Sequence, residues 1–541
     1  MPQQLIEKVG AIGLVSGVDV DPRKLPDGAW SDGLNVRFDG YLAEKVKGSR
    51  VVQGSLSTSA HTLVPHTTFD GSQFICYAGL TRVFTVNNNT HYELTRVSNT
   101  STVVLYNADP TELWTGGVLG GLLFLNNPAD VPQIQVTPTA SCRLSNLPNW
   151  PTTITTRAAC LRAYKNYLVA LDITKGPQRY RQMVKWSASA DPLTVPHTWD
   201  EADTTADAGE NSLSESNGTV IDCLPLRDIN IIYKDDSVHG MQFIGGQFIF
   251  RFYGIFNSIG ILSRNCVCAF NEAYHLFIGN DLDIYVHDGQ TCTSIGEDRW
   301  AEWLRENVDG TQYNRMFVVN NPTSNEVWIF VPTGADSYND VVLMYNWRKK
   351  TWGKREVDNV SHGVVSAIES TNYVTLWSAA SYSWDSTAMS WAELASLPPD
   401  KKLVLASPTR TTGLIETEIG SSEFGAALPF VLERTGMWAM ACKVVDNGRV
   451  IDLQGVKFVD RIRFRTVDGT SQTGMRFMVA VQTDVDSPLV WATTTKMNGT
   501  TAEVTVFKRG RFLNLRIESD EDTLFSLNEI EIVMRPSGDY L

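Results

Sequence analysis

The run "RMFVVNNPTSNEVWIFVPTGADSYNDVVLMYNWRKKTWGKREV" (residues 315–357) decides how the rest of the chain is read. Four short strands can be marked in it: "RMFVVNN", "EVWIFVP", "VVLMYNW" and "TWGKREV". Their β-branched and aromatic residues suit a pleated sheet. Asn320 to Asn325, Pro332 and the basic turn Arg348 to Lys350 supply the breaks between them. An aliphatic strand, a basic turn and a Trp-bearing strand is a pattern in which propeller blades place their outer strands. Radial stacking gives each blade a buried face on both sides, which suits such strongly apolar runs.

Comparable units precede it at a spacing of about 40 residues, the period of a propeller blade. They cover approximately residues 61–97 ("QFICYAG", "RVFTVNN", "HYELTRV"), 112–147 ("GGLLFLNN", "PQIQVTP"), 157–199 ("NYLVALDIT", "QMVKWSAS"), 219–256 ("INIIYK", "FIFRFYG") and 262–304 ("AYHLFIG", "LDIYVHDG"). Helical periodicity is scarce, so the fold class is mainly β, with a propeller of about six blades. One helix stands out in "GEDRWAEWLREN", where Trp300, Trp303 and Leu304 share a face at i, i+3 and i+4. Its two readings are a cap on a blade edge and a docking surface for a neighbouring subunit.

Beyond residue 357 the rhythm changes. Residues 359–410 read as a connector with a short helix near Trp391 to Leu397, and residues 411–541 read as strands again. In "RIRFRTV", Ile462, Phe464 and Thr466 alternate with Arg461, Arg463 and Arg465, the signature of a half-solvated antiparallel sheet. The expectation is a β-sandwich-like platform built from this region and the N-terminal hairpin segment of residues 1–58. The propeller then occupies residues 59–358. In that hairpin, "DGLNVRFDGYLAEKVKG", Leu34, Val36 and Phe38 alternate with polar residues before the turn Asp39-Gly40-Tyr41. Asp32, Arg37, Glu44 and Lys45 are its candidate residues, either in structural salt bridges or facing a partner.

Composition narrows the function classes. Hydrophobic residues make up 43% and charged residues 20%, as in ordinary globular proteins. The N-terminus lacks the pattern of a secretory signal, and the longest apolar run, "GGVLGGLLFL", is about half a membrane span, so no membrane insertion is expected. The net charge of −14 opposes tight gripping of nucleic acid through phosphates, yet suits a surface past which a polyanion slides. Cys266 and Cys268 face no second ligand pair, which makes them packing residues of a chain folded in a reducing cytoplasm. The eight histidines show no metal-ligand spacing, and neither a nucleophile elbow nor a phosphate loop is present. Asp281, Asp283 and Asp288 lie near glycines without completing a calcium loop and read as turn formers. No catalytic, cofactor or metal residue is therefore assigned, and the chain is expected not to be an enzyme.

Four segments, in order along the chain, resemble the nozzle proteins of short-tailed bacteriophages, the tail tubular protein B or DNA-stabilising tail hub family. They are "LPDGAWSDGLNVRFDGYLAEKVKGSR", "LDIYVHDGQTCTSIGEDRWAEWL", "NEVWIFVP" with "VVLMYNWRKKTWGKREV", and "GRFLNLRIESDEDTLFSLNEIEIVMRPSGDY". The resemblance implies a structural virion protein made in the host bacterial cytoplasm. It would form a homohexameric ring below the portal and its tail adaptor, bear tail fibres or tailspikes, and pass genomic double-stranded DNA during ejection. The alternative class is a carbohydrate-binding or glycan-cleaving propeller acting in receptor binding.

Overall fold

In the run that opens the sequence argument, alternate side chains of Glu326–Val331 leave the strand on opposite sides and both sides are buried. Val327, Ile329 and Val331 join an apolar cluster with Leu276 and Phe277 of the preceding sheet. Trp328 and Phe330 join another with Leu403, Leu405 and Ile415 of the following one. A strand apolar on both faces is stable only between two other sheets, which is the environment of a propeller blade.

The computed structural model describes residues 5–9, 13–14, 25, 29–39, 42–68, 72–87, 89–98, 101–152, 154–246, 248–296, 300–334, 338–367, 401–438, 444–446, 449–451, 456–466, 474–482, 487–493, 503–524 and 526–536. Blades one to five are antiparallel four-stranded sheets over residues 62–93, 115–146, 156–212, 220–257 and 267–294. Blade six, residues 317–360, has the same four-strand order and continues at its outer edge into a further sheet. A seventh blade completes the ring. Its strands run in the order His362–Ala367, Lys401–Ala406, Leu414–Thr417 and, from the other end of the chain, Ser49–Val52. The register Ile415↔Val51 fixes the last pairing. The innermost strands of consecutive blades lie side by side, and His362–Ala367 lies against both Phe317–Asn321 and Thr62–Thr67. The chain is thus a β-propeller closed by its own N-terminal segment.

The expected count of about six blades becomes seven, because the last blade is assembled from segments more than 300 residues apart and has no local repeat. Two stretches read as connector, His362–Ala367 and Lys401–Ala406, are its inner strands. The helix expected near Trp391 to Leu397 lies outside the described residues.

The platform consists of two facing sheets. The first runs Val36–Asp39, Leu42–Lys45, Ser526–Pro536, Lys457–Thr466, Glu503–Gly510, and it joins blade six through the pair Lys354↔Val36. The second runs Asp32–Leu34, Phe430–Trp438, Phe512–Ser519, Arg476–Gln482, Ala492–Thr493. Ile462, Ile530 and Ile532 of the first share a core with Leu432, Phe477 and Ile517 of the second. Arg461 and Arg463, on the other side from Ile462, both bind Glu503 at 2.9 Å. The N-terminal hairpin therefore contributes one strand to the second sheet and two to the first.

Candidate functional site

Two places gather polar side chains: the junction of hairpin, propeller and platform, and the axis of the propeller.

At the junction, Arg37 stands on the hairpin strand Val36–Asp39 and points into the protein. Its Nε and Nη2 donate to Glu326 at 2.7 and 2.9 Å, and its Nη1 and Nη2 donate to Glu418 at 2.7 and 2.9 Å. Glu326 opens an inner strand of blade six, and Glu418 follows the Leu414–Thr417 strand of blade seven. Arg355, fully buried on the outer strand of blade six, donates through Nη2 to Ser49 Oγ at 2.6 Å and to Glu423 at 2.9 Å, with Glu418 at 3.8 Å from Nη1. Two guanidiniums thus face three carboxylates away from water. Burial works against the charge on Arg37, but Glu326 and Glu418 outweigh it and raise its pKa further. Burial alone would raise the Glu418 carboxyl, and Arg37 more than offsets that, so its pKa falls.

The other candidates of the hairpin serve separate contacts. Glu44 is the cross-strand neighbour of Arg37, yet accepts a hydrogen bond from Ser526 Oγ at 2.7 Å. Lys45 is buried and donates to the Glu521 carbonyl at 2.7 Å; burial lowers its pKa, opposed by Asp522 and Asp520. Asp32 is exposed on the second platform sheet, 3.4 Å from Lys354 Nζ. That lysine lies 5.5 Å over the ring of Trp303, which brings Asp32 and the helix Ala301–Asn307 to one place. Trp300 and Leu304 are buried in the common core, with Trp300 6.0 Å from Trp352, so Trp303 is the partly exposed member of the three. Sequence reasoning missed Glu326, Arg355, Glu418 and Glu423. The available signal was a charged residue inside an otherwise apolar strand, as in "EVWIFV".

The axis is latched by polar groups on the innermost strands. Trp114 N donates to Thr62 Oγ1 at 3.2 Å, Leu161 N to Thr115 Oγ1 at 3.1 Å, and Leu63 N to His362 Nδ1 at 3.2 Å, each joining one blade to its neighbour. Arg162 of blade three makes two 2.8 Å bonds to Asp222 of blade four and one of 2.7 Å to Asn265 Oδ1 before blade five. Burial would raise the Asp222 carboxyl, but Arg162 and the surrounding donors hold it below the usual carboxylate range. Burial, helped by the charge of Arg162, lowers His362 to about 3 and keeps it neutral. Arg264 reaches Glu112 at 3.4 Å, linking the entry to blade five with the entry to blade two.

Beside these axial contacts, sharing Glu112 and Arg264 with them, lies a cleft of about 490 Å³. The entries to blades two, five and six line it, together with turns of blades four and five and the end of the helix. Asp281 and Asp283 are formers of the turn that carries the lining residues Asn280 and Leu282, and Asp288 forms the turn at the other end of the strand Ile284–His287. Asp281 Oδ1 accepts from Asp283 N, Asp283 Oδ2 from Ser294 Oγ, and Asp288 Oδ1 from Gln290 N. Among the described residues no group of His, Cys, Asp and Glu has metal-site geometry, and no helix is long and apolar enough to cross a membrane.

No family model matches the chain, and neither does any curated protein. Solved structures similar to it include the computationally designed Ika8 protein, at 10% identity over 69% of this chain and 100% of that one, with a TM-score of 0.36. Another is the extracellular domain of the putative hybrid two-component system BT3049 from B. thetaiotaomicron, at 8% identity over 93% and 62%, TM-score 0.41. A third is the WD40 domain of Neurospora crassa Pan2, at 8% identity over 72% and 98%, TM-score 0.33. At this distance none of them bears on what this chain does. The fold assignment rests on the ring of blades itself.

Proposed function

We propose that this chain is a structural virion subunit, the nozzle of a short phage tail, which extends the portal and adaptor channel, retains the packaged genome and lets DNA pass on ejection. The observation that carries the reading is where the resembling segments lie. The first and last of the four, near opposite ends of the chain, meet as the neighbouring strands Leu42–Lys45 and Ser526–Pro536 of one platform sheet. The third forms blade six, which feeds that same sheet through Lys354↔Val36. Three of the four resembling segments therefore meet in one continuous sheet. A chain of net charge −14, repeated around a ring, makes an acidic wall that DNA passes without sticking. Asp222 on the axis is held ionised by Arg162, whereas the acid of a glycoside cleavage must carry a proton to give up, and this favours a role without bond chemistry for that carboxylate.

Electron microscopy of the full chain assembled with its adaptor tests the proposal. A sixfold ring at the tail end of the portal is expected. A trimer at the tail periphery, or turnover of a glycan substrate by the purified chain, refutes it. Reversing acidic residues that line the channel of such a ring slows DNA ejection; unchanged ejection kinetics would discard the repulsion argument.

A further inference from the structure

The cleft over the propeller axis is used neither by the junction nor by the proposed conduit, and its chemistry is mixed in an informative way. Arg264 and Arg305 bring two positive charges to its wall and Glu112 and Asp235 two negative ones, so it carries no net formal charge. Asn280 adds an amide, and Tyr313, 37% exposed, adds an aromatic ring. Leu113, Ile221 and Leu262 give it an apolar floor.

A charged ligand finds no net attraction in a site balanced in this way, where Arg264 and Glu112 already pair with each other, and a purely apolar one covers the exposed Arg305 guanidinium without meeting it. A ligand with many hydroxyls satisfies both kinds of group. Guanidinium, carboxylate and amide are planar forks that span two neighbouring hydroxyls, and the C–H face of a pyranose ring packs on an aromatic ring. A volume of about 490 Å³ accommodates a small oligosaccharide. We propose that this cleft is a recognition site for a neutral saccharide unit with adjacent hydroxyls, bound without being cleaved. It adds saccharide recognition at the propeller to the conduit role of the assembly.

The test is binding of the full chain to an array of neutral and acidic bacterial surface oligosaccharides, followed by titration calorimetry with the best neutral probe. Tyr313→Ala and Arg305→Ala are the variants to compare, since both side chains are exposed and neither belongs to the axial latch. A signal from neutral probes, weakened about tenfold or more by each variant while the melting temperature stays unchanged, supports the site. No array signal, a preference for acidic probes alone, or binding that both variants leave intact overturns it. Competition by inorganic phosphate would likewise mark the cleft as an anion site and refute the proposal.

Discussion

Replacing Arg37 by Met should be among the most damaging single changes in the platform junction. The variant removes four hydrogen bonds of 2.7–2.9 Å and leaves Glu326, whose side chain is 2% exposed, with two neutral donors, Ser324 Oγ and Trp328 Nε1. Glu418 keeps Arg355, 3.8 Å away, and the charge of Lys47 as its cationic neighbours. Removing one partner of a buried ion pair costs about 3–5 kcal/mol, because the remaining charge stays out of water. Urea unfolding followed by tryptophan fluorescence reads the loss, and Trp328 reports on it directly since its indole donates to Glu326. A chain of this size does not necessarily unfold in one step, so hydrogen exchange of Val36–Asp39 and Leu42–Lys45 should localise the effect. Protection there should fall by roughly a hundred- to several-thousand-fold. Combining Arg37→Met with Glu326→Gln and Glu418→Gln should restore most of the stability, since neutral groups of the same shape tolerate burial far better. The pH dependence has a definite sign. The folded pKa of Glu418 is depressed, so its contribution is present above the unfolded value of 4.5 and is lost as pH falls through the folded value. In Arg37→Met the deficit should instead shrink on acidification, as protonation neutralises the orphaned Glu418 carboxylate. A destabilisation below about 1 kcal/mol at pH 7, the size expected of a surface pair, would refute the assignment.

Two further outcomes follow from the blades. Tyr233 Oη lies 2.8 Å from His275 Nδ1 and 2.6 Å from His287 Nε2, while His275 Nε2 meets the Pro225 carbonyl at 3.0 Å and His287 Nδ1 accepts from Gly289 N at 3.1 Å. These partners fix both tautomers and leave no place for a second proton. Burial lowers His275 to about 4; burial, followed by the proximity of His275, lowers His287 to about 3. Depressed histidines give stability that is whole above the unfolded pKa of 6.5 and lost as pH falls toward the folded values. Each should cost on the order of 1–2 kcal/mol between pH 7 and 5, and the slope of melting temperature against pH should flatten in His287→Phe. An equally steep slope in that variant would place the proton uptake elsewhere. At the ring closure, a Cβ on Gly48 would stand 1.9 Å from the Ser422 carbonyl oxygen, so Gly48→Ala should push the strand Ser49–Val52 off blade seven. About 1–3 kcal/mol of stability should be lost, with faster proteolysis of residues 401–417; wild-type resistance would show that the edge absorbs the methyl group.

Most of the propeller is legible in the sequence because five blades, and blade six with them, are local. Strand, turn and strand follow within about 40 residues, and burial on both faces leaves its mark in continuous apolar runs such as "VWIFV". Blade seven is not legible in the same way. Its strand Ser49–Val52 carries Ser49 and Arg50 beside Val51 and Val52, and what makes it a blade strand is pairing with residues 414–417, which no local pattern encodes. The charge network shows the same limit from the side of chemistry. Arg37 stands out in the hairpin, but its carboxylates come from positions 326 and 418, and only the closed ring brings them together. The helix was legible as an amphipathic stripe. That Trp300 and Leu304 are spent on the chain's own core depends on blade six lying beneath them.

The route of residues 32–52 gives these separate contacts a common consequence. Within this stretch the chain enters the second platform sheet at Asp32–Leu34, crosses the first at Val36–Asp39 and Leu42–Lys45, and then completes blade seven at Ser49–Val52. Arg37 lies between these pairings and holds blades six and seven at once. The propeller therefore cannot open at its closing blade without straining the platform, and the platform cannot shift on the propeller without pulling on the closing strand. Because the partners of this stretch lie as far away as residues 414–434 and 526–527, it is synthesised well before them and is among the last to find its place. The local sheets of blades one to five can form before it, and docking of the N-terminal segment then locks ring and platform together in one event. A load applied to either part is carried by strands shared with the other, an arrangement that would suit the proposed conduit.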